Sequence, residues 1–483
     1  MITAKNITKL YGDRVILEKT DFKIGNGRKI GLVGRNGCGK TTLFKIINGL
    51  EDPTAGNIEY ENEMPGYIPQ EFSFPDKLVG EYLEDLVPNK WENYKIETIL
   101  SQLKFHNYDP YQDINTLSEG QKMKLKLAEA LLNEPTALFI DEPTNHLDID
   151  GIMWFEEYVK RLKISAVMIS HDRSFLNHTV DEIWEIDKNQ VFRFVGDYDN
   201  YRTEKLKLID KWDDEYVRFL KKKAQLERLL ENVRKIADGK KRGRAVEAAK
   251  KRIEREVTSD SKEKYKVKKI QNLSFDSDIR DGKLMLRFEN VSKFFGLKKV
   301  FDNLNFELRG KEKVWLFGPN GGGKTTLIKL IVGEEKETSG TVKVGENVKI
   351  GYFSQVQTQL EDKATVMDSF VQKTGCYFAY AYNLLNKFLF DKESVKKRIW
   401  QLSPGERARF AFAIFAYKNY DFLILDEPDN HLDIETKEVI EKSLKEFKGT
   451  LLLVSHDRYF VEMCGVNKAL NLVDGSLSYI DFD

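Results

Sequence analysis

The chain has 483 residues, with 77 Lys+Arg balanced by 77 Asp+Glu, so its formal net charge is zero. Its length fits roughly two to four domains, its 41% hydrophobic share can build real cores, and its 32% charged share exceeds the usual ~25%, which implies extended solvated surface. No run approaches the ~18 apolar residues of a membrane span, Met1–Lys5 does not open a signal peptide, and the well-separated Cys38, Cys376 and Cys464 form neither a disulfide framework nor a zinc pattern, which fits a reducing cytosol.

In chain order, Tyr11-Gly12 comes first, followed by the apolar run Lys29–Val33, which reads as a short strand. It leads into Gly34-Arg35-Asn36-Gly37-Cys38-Gly39-Lys40-Thr41-Thr42 and a helical pattern, Thr41–Asn48, with Gly49 as its cap. A Gly-x-x-x-x-Gly-Lys-Thr segment between strand and helix is a phosphate-binding loop. Its glycines let backbone N–H groups curl around phosphates, and the helix N-terminus adds positive potential. Lys40 would reach the terminal phosphates and Thr41 would place a hydroxyl on Mg²⁺. Gln70 and Leu117-Ser118-Glu119-Gly120-Gln121 follow, and the latter precedes a helical stretch. The buried run Leu138–Ile140 ends in Asp141-Glu142, and Val167–Ile169 leads to Ser170-His171-Asp172-Arg173. A carboxylate at a strand end can organise Mg²⁺ (Asp141), and the next can polarise an attacking water (Glu142); phosphoryl transfer to water needs both. His171 can donate to a terminal phosphate.

Residues 201–281 have a different composition. Up to about Ala237 they are continuous in helix formers without Pro or Gly. Asp238–Gly243 then breaks the pattern, and a second helical stretch runs from Arg244 to Glu256. This reads as a helical hairpin whose longer arm reaches ~50 Å at 1.5 Å per residue. Lys221–Lys269 holds 19 basic and 8 acidic residues, a local charge of +11 that leaves −11 for the remainder. The zero total is therefore a cancellation. Lys240, Lys241, Arg242, Arg244, Lys250, Lys251, Arg252 and Arg255 crowd the break. Such a cluster suits phosphate backbones read by shape, and few aromatics are interleaved for base stacking.

The first part then recurs. Phe295 repeats Tyr11, and Gly318-Pro319-Asn320-Gly321-Gly322-Gly323-Lys324-Thr325-Thr326 repeats the phosphate loop, both 284 positions later. Gln355, Ser403 (with Gly405), Asp426, Glu427 and His456 repeat Gln70, Ser118, Asp141, Glu142 and His171 at an offset of 285. His431 repeats His146 at the same offset. One single-residue indel separates two copies of a domain of roughly 200 residues. Both copies read as α/β with a largely parallel sheet.

Leu117–Gln121 and Leu402-Ser403-Pro404-Gly405-Glu406 resemble the signature motif of ATP-binding cassette ATPases. Asp-Glu-Pro-Thr-Asn-His-Leu-Asp at Asp141–Asp148, together with the layout of two cassettes and a charged linker, resembles the ABC-F group. The resemblance implies cassettes at 1–199 and 283–483 and a basic helical-hairpin linker at 200–282. It implies adenine stacking on Tyr11 and Phe295, and Mg²⁺ near Thr41, Gln70, Asp141, Thr325, Gln355 and Asp426. It also implies catalytic roles for Glu142, Glu427, His171 and His456. Head-to-tail closure would let Lys40 share an ATP with Ser403, and Lys324 one with Ser118 and Gly120. The implied protein is a cytoplasmic, monomeric Mg²⁺-dependent ATPase of the ribosomal tRNA exit site, its linker approaching P-site tRNA, rRNA and the peptidyl-transferase centre. Ribosomal protection against antibiotics is the nearest alternative, and the ATPase of a membrane transporter is a more distant one. The chain departs from the pattern at Asp429, which stands where the first copy has Thr144, and at Glu119 and Pro404, which fill a position often held by Gly.

Overall fold

The computed structural model describes every residue except 62, 88–92, 106–107, 146, 235–238, 240–245, 249, 252–269, 271–272, 355–362, 431 and 482–483. The chain forms two compact units, one comprising Met1–Asp197 with Lys269–Asp483 and the other Tyr198–Lys268.

The first cassette opens with β1 (Ile2–Tyr11), β2 (Arg14–Ile24), β3 (Lys29–Gly34), β4 (Ala55–Tyr60) and β5 (Pro65–Ile68). It continues through β6 (Ala137–Asp141), β7 (Ser165–Ile169), β8 (Glu182–Asp187) and β9 (Gln190–Val195). The second repeats this order with β10 (Leu284–Phe295), β11 (Lys298–Arg309), β12 (Lys313–Phe317), β13 (Ser339–Val344) and β14 (Ile350–Phe353). Its last strands are β15 (Phe422–Asp426), β16 (Thr450–Val454), β17 (Lys468–Val473) and β18 (Ser476–Asp481).

Each cassette has a six-stranded sheet, in the orders β5-β6-β7-β3-β8-β9 and β14-β15-β16-β12-β17-β18. All neighbours pair in parallel except the last, β8–β9 and β17–β18. Strands β6, β7, β15 and β16 are buried along their whole length. A strand covered on both faces needs apolar residues at every position, which is why these segments read as continuous runs rather than alternations. A second, three-stranded antiparallel sheet stands beside each, β2-β1-β4 and β11-β10-β13. In the first cassette Phe44, Phe139 and Tyr67 meet edge to face between helix and sheet, and Ile30, Leu32, Val167 and Ile169 join the same core.

The phosphate-loop helices run Lys40–Ile47 and Lys324–Val332. The first ends on Asn48, with Gly49 one position beyond in left-handed backbone at φ 66°. Gly39 and Gly323 cap the helix starts with φ of 107° and 98°. A side chain at Gly323 would also meet Val300 Cγ1 at 2.7 Å, so both conformation and space demand glycine.

In the other unit, a helix runs Tyr198–Arg234, 37 residues or about 55 Å. Its first turns are ordered by Tyr198 packing on Tyr201 and by Lys205 Nζ donating to the Tyr201 hydroxyl at 3.3 Å. Lys250 and Lys251 are helical and exposed, and Lys251 pairs with Glu247 at 3.3 Å. Lys240, Lys241, Arg242, Arg244, Arg252 and Arg255 lie outside the described residues, as do Gln355, His146 and His431. Among the described residues no helix is long and apolar enough to cross a membrane.

Candidate functional site

In the first cassette, β3 ends at Gly34 and hands the chain to the phosphate loop. Lys40 folds back over that loop, its ammonium donating to the Gly34 carbonyl at 2.8 Å. Lys324 does the same toward Gly318 at 2.8 Å and Pro319 at 3.1 Å. The loop carbonyls thus hold each ammonium beside the helix N-terminus, where an anion would sit. Burial pushes the Lys324 amine below the usual lysine range, while Glu427, Asp148 and Asp426 oppose that.

Parallel pairing of β3, β7 and β6 brings the ends of three strands together over this loop. Thr41 donates to Asp141 Oδ2 at 2.8 Å, and Thr325 to Asp426 Oδ2 at 3.4 Å. His171 Nε2 lies 3.3 Å from Glu142 Oε1 and 3.3 Å from Lys40 Nζ. His456 Nε2 lies 3.7 Å from Glu427 Oε1.

Burial dominates the electrostatics. It raises Glu142 to about 7, with Asp141 adding to the effect and Lys40 opposing it. Burial also raises Glu427 to about 7, helped by Asp426 and Asp429, and raises Asp426 to about 6. It lowers His456 to about 4, so that ring is neutral at physiological pH.

A cavity of about 580 Å³ brings residues of both cassettes together. From the first come Tyr11, Asn36, Gly37, Gly39, Lys40, Thr41, Thr42, Gln70, Asp141, Glu142 and His171; from the second come Ser403, Pro404 and Gly405. The other phosphate loop lines a cavity of about 920 Å³ with Phe295, Asn320, Gly321, Gly322, Gly323, Lys324, Thr325, Thr326, Glu427 and His456. There the first cassette contributes Glu119, the neighbour of Ser118, and Asn145.

Both signature serines cap helices. Ser118 accepts from the Gln121 N–H at 3.3 Å, and the Gln121 side chain accepts from the Ser118 N–H at 2.9 Å. Ser403 and Glu406 form the same reciprocal box at 3.2 and 2.9 Å. Pro404 takes the first helical position, where a missing N–H costs nothing. Glu119 pairs with Lys122 at 2.9 Å.

Several participants went unread in the sequence. Asp148 starts the helix Ile149–Arg161 and accepts from the Asn320 N–H of the other cassette's phosphate loop at 3.3 Å. Arg14 donates to the Gly37 carbonyl at 3.0 Å. Arg173 pairs with Glu441 in a buried two-pronged contact, and Arg458 pairs with Glu156 at 2.8 Å. Arg173 matches Arg458, and Glu156 matches Glu441, at the repeat offset of 285, a signal that was available.

The ABC transporter family matches residues 17–145 and 301–430, more than half of the chain. ABC transporter F family member 2 of Arabidopsis thaliana is 32% identical, over 99% of this chain and 77% of the relative. This chain belongs to the ABC-F family. Among other relatives, the ribosome protection protein VmlR of Bacillus subtilis is 30% identical to this ABC-F chain, over 96% of it and 85% of VmlR. Among solved structures, the archaeal ribosome recycling factor aABCE1, in complex with a ribosomal stalk protein, superposes with a TM-score of 0.66. The match has 20% identity and covers 99% of this chain and 90% of that one; it speaks for the fold. ABC-F membership makes the chain one of the ATP-binding ATPases, built on two tandem cassettes.

Proposed function

We propose that this ABC-F protein binds ATP between its cassettes, hydrolyses it with Mg²⁺ at two composite sites, and uses the closing and opening to act on the ribosome in the cytoplasm. The observation that carries this reading is the cavity holding Lys40, Glu142 and His171 of one cassette with Ser403 of the other. An active site assembled only when two bodies meet couples chemistry to closure. ATP, by binding the closed state better, drives that two-state change.

The residues present fit Mg²⁺. Thr41, Asp141 and Gln70 offer a hydroxyl, one carboxylate and an amide oxygen, the hard oxygen donors this ion takes alongside waters and phosphates. Thr325 and Asp426 offer the same in the second cassette, with Gln355 assigned there from the repeat. When bound, Mg²⁺ would neutralise charge developing on the transferred phosphoryl group.

The chain's own residues supply the rest. Tyr11 and Phe295, each half exposed with Lys9 or Lys293 against its ring, offer faces for adenine. The glycine loops cradle phosphates, and Lys40 and Lys324 supply fixed positive charge. Glu142 Oε2 is buried and makes no hydrogen bond, so it is free to accept a proton from water. His171, 3.3 Å from Glu142, and His456, 3.7 Å from Glu427, stand beside the carboxylates and would donate toward the terminal phosphate. Ser118 and Ser403 complete the opposite sites from their helix N-termini.

The ribosomal part rests on the basic linker, 200–282, between the cassettes 1–199 and 283–483, with the protein acting as a monomer. The eight basic residues between Lys240 and Arg255 would meet rRNA and P-site tRNA near the peptidyl-transferase centre, with the cassettes in the tRNA exit site. Antibiotic protection is a second reading, favoured by the likeness to VmlR.

The test combines two variants. Glu142→Gln with Glu427→Gln should abolish ATP hydrolysis while retaining bound ATP, and should co-sediment with ribosomes through sucrose. Adding Lys240→Glu, Lys241→Glu, Arg242→Glu and Arg244→Glu should release it and flatten the salt dependence of binding. Undiminished hydrolysis in the double variant sinks the catalytic assignment. Recovery only with membranes sinks the ribosomal one.

A further inference from the structure

We propose that Lys437 is a positioning residue by which the second cassette holds the histidine loop of the first, so that the two ATP sites are mechanically unequal. The proposal rests on the ATPase reading above for its kinetic consequence and on geometry for the contact itself.

Lys437 lies on the helix Ile434–Glu446 and is buried. Its ammonium donates to Asp457 Oδ2 at 2.9 Å and stands 3.9 Å from Asp429 Oδ2. It also donates across the cassette boundary to the main-chain carbonyl of His171 at 3.2 Å. A lysine taken out of water persists only where carboxylates and acceptors replace its hydration. Here two aspartates and one carbonyl face it. Fixing the His171 carbonyl fixes the peptide that carries the ring, and that ring sits 3.3 Å from both Glu142 and Lys40.

The repeat shows that this device exists once. At the matching positions the first cassette has Ile152 for Lys437 and Thr144 for Asp429, while Asp172 matches Asp457. Isoleucine has no donor to offer the His456 carbonyl, and Thr144 meets Ser170 at 3.4 Å. Lysine and Asp429 thus occur together in one copy and are absent together from the other, which fits a buried aspartate that needs the lysine's charge beside it, while Asp457 is the lysine's nearer partner. The geometry differs in the same sense. The histidine–glutamate distance is 3.3 Å in the site whose histidine loop Lys437 holds and 3.7 Å in the other. The threonine–aspartate distance is 2.8 Å against 3.4 Å.

The experiment grafts the first cassette's pair onto the second, Asp429→Thr with Lys437→Ile, in the full chain. Asp457 loses its 2.9 Å partner in the graft and keeps only the field of Arg173, the situation that its counterpart Asp172, which has no lysine at the matching position, already occupies in the first cassette. Hydrolysis is measured in two backgrounds, Glu427→Gln (Glu142 alone active) and Glu142→Gln (Glu427 alone active). The graft should lower kcat on the order of tenfold in the first, with KM for ATP within about twofold, while the second should not fall, because loss of the Asp429 charge only eases ionisation of Glu427. Amide hydrogen exchange of the 169–172 segment, read without nucleotide, should quicken by about tenfold. Equal losses in both backgrounds, a change confined to KM, or unchanged exchange at 169–172 would overturn the proposal. If the parent chain itself hydrolyses no ATP, the proposed function fails, and the exchange measurement still decides the contact.

Discussion

Glu142 and Glu427 each have a backbone φ near +50°, in the left-handed region where a glutamate is uncommon. Each N–H nevertheless donates at 2.9 Å to the strand beside it, Glu142 to Ile169 and Glu427 to Val454. The sheet pays for the turn, and the turn aims the carboxylate into the cavity instead of along the strand. Burial then holds both acids protonated well above the usual carboxylate range, at about 7. A base must be ionised to work, so activity should rise as pH climbs through that value. Between pH 6 and pH 8 the ionised fraction of such a group grows roughly tenfold, and ATP turnover should follow it. A flat pH–rate profile over that window, at saturating ATP, would remove these carboxylates from the proton transfer.

The helices Glu119–Leu132 and Pro404–Lys418 start on Ser118 and Ser403, and Ser403 lines the cavity of the Lys40 phosphate loop. Capping and ligand recognition compete for the same hydroxyl, and the two uses can be separated. Ser403→Ala should cost about 1 kcal/mol of stability through the lost cap. Ser403→Asp should keep the cap, and with it the thermal midpoint, but place a negative charge where a phosphate is expected. Turnover at the Lys40 site should therefore fall in Ser403→Asp without a fall in melting temperature; normal turnover would show that this serine only caps. Elements of this kind were legible in sequence because their signals are local: a capping box spans four residues, and the phosphate loop nine. The buried parallel strands were legible as unbroken apolar runs. The antiparallel sheets were not. Along β1 and β10 the pairing register shifts repeatedly, and Asn6 and Asn290 turn to positive φ, so the period-two alternation that marks a half-buried strand is broken. The residues facing each other across the cassettes had no local signal, because Arg173 and Glu441 are 268 positions apart, and only the repeat offset they share with Arg458 and Glu156 marks them.

Across the molecule, the two arginine–glutamate contacts tie the cassettes together unequally. Arg173 and Glu441 are both almost wholly buried, whereas Arg458 keeps a third of its side chain in solvent. Removing one partner of a buried pair strands the other, at about 3–5 kcal/mol, whereas a half-solvated pair is worth at most ~1 kcal/mol. Arg173→Met should therefore destabilise the chain far more than Arg458→Met in urea or thermal denaturation. Arg173→Met with Glu441→Leu should recover much of the loss. Equal effects of the two single substitutions would mean that burial does not set their weight.

The matched contacts also bear on what one substitution can do. Arg173 to Glu441 and Arg458 to Glu156 are the same handshake made twice, as at the isologous face of a two-fold homodimer. In a homodimer every change is made twice, and a lysine introduced near the axis would meet its own copy. Tandem fusion lifts that constraint. Lys437 and Asp429 occupy one half alone, an asymmetry closed to a homodimer and open to a chain that carries two diverged halves in one polypeptide.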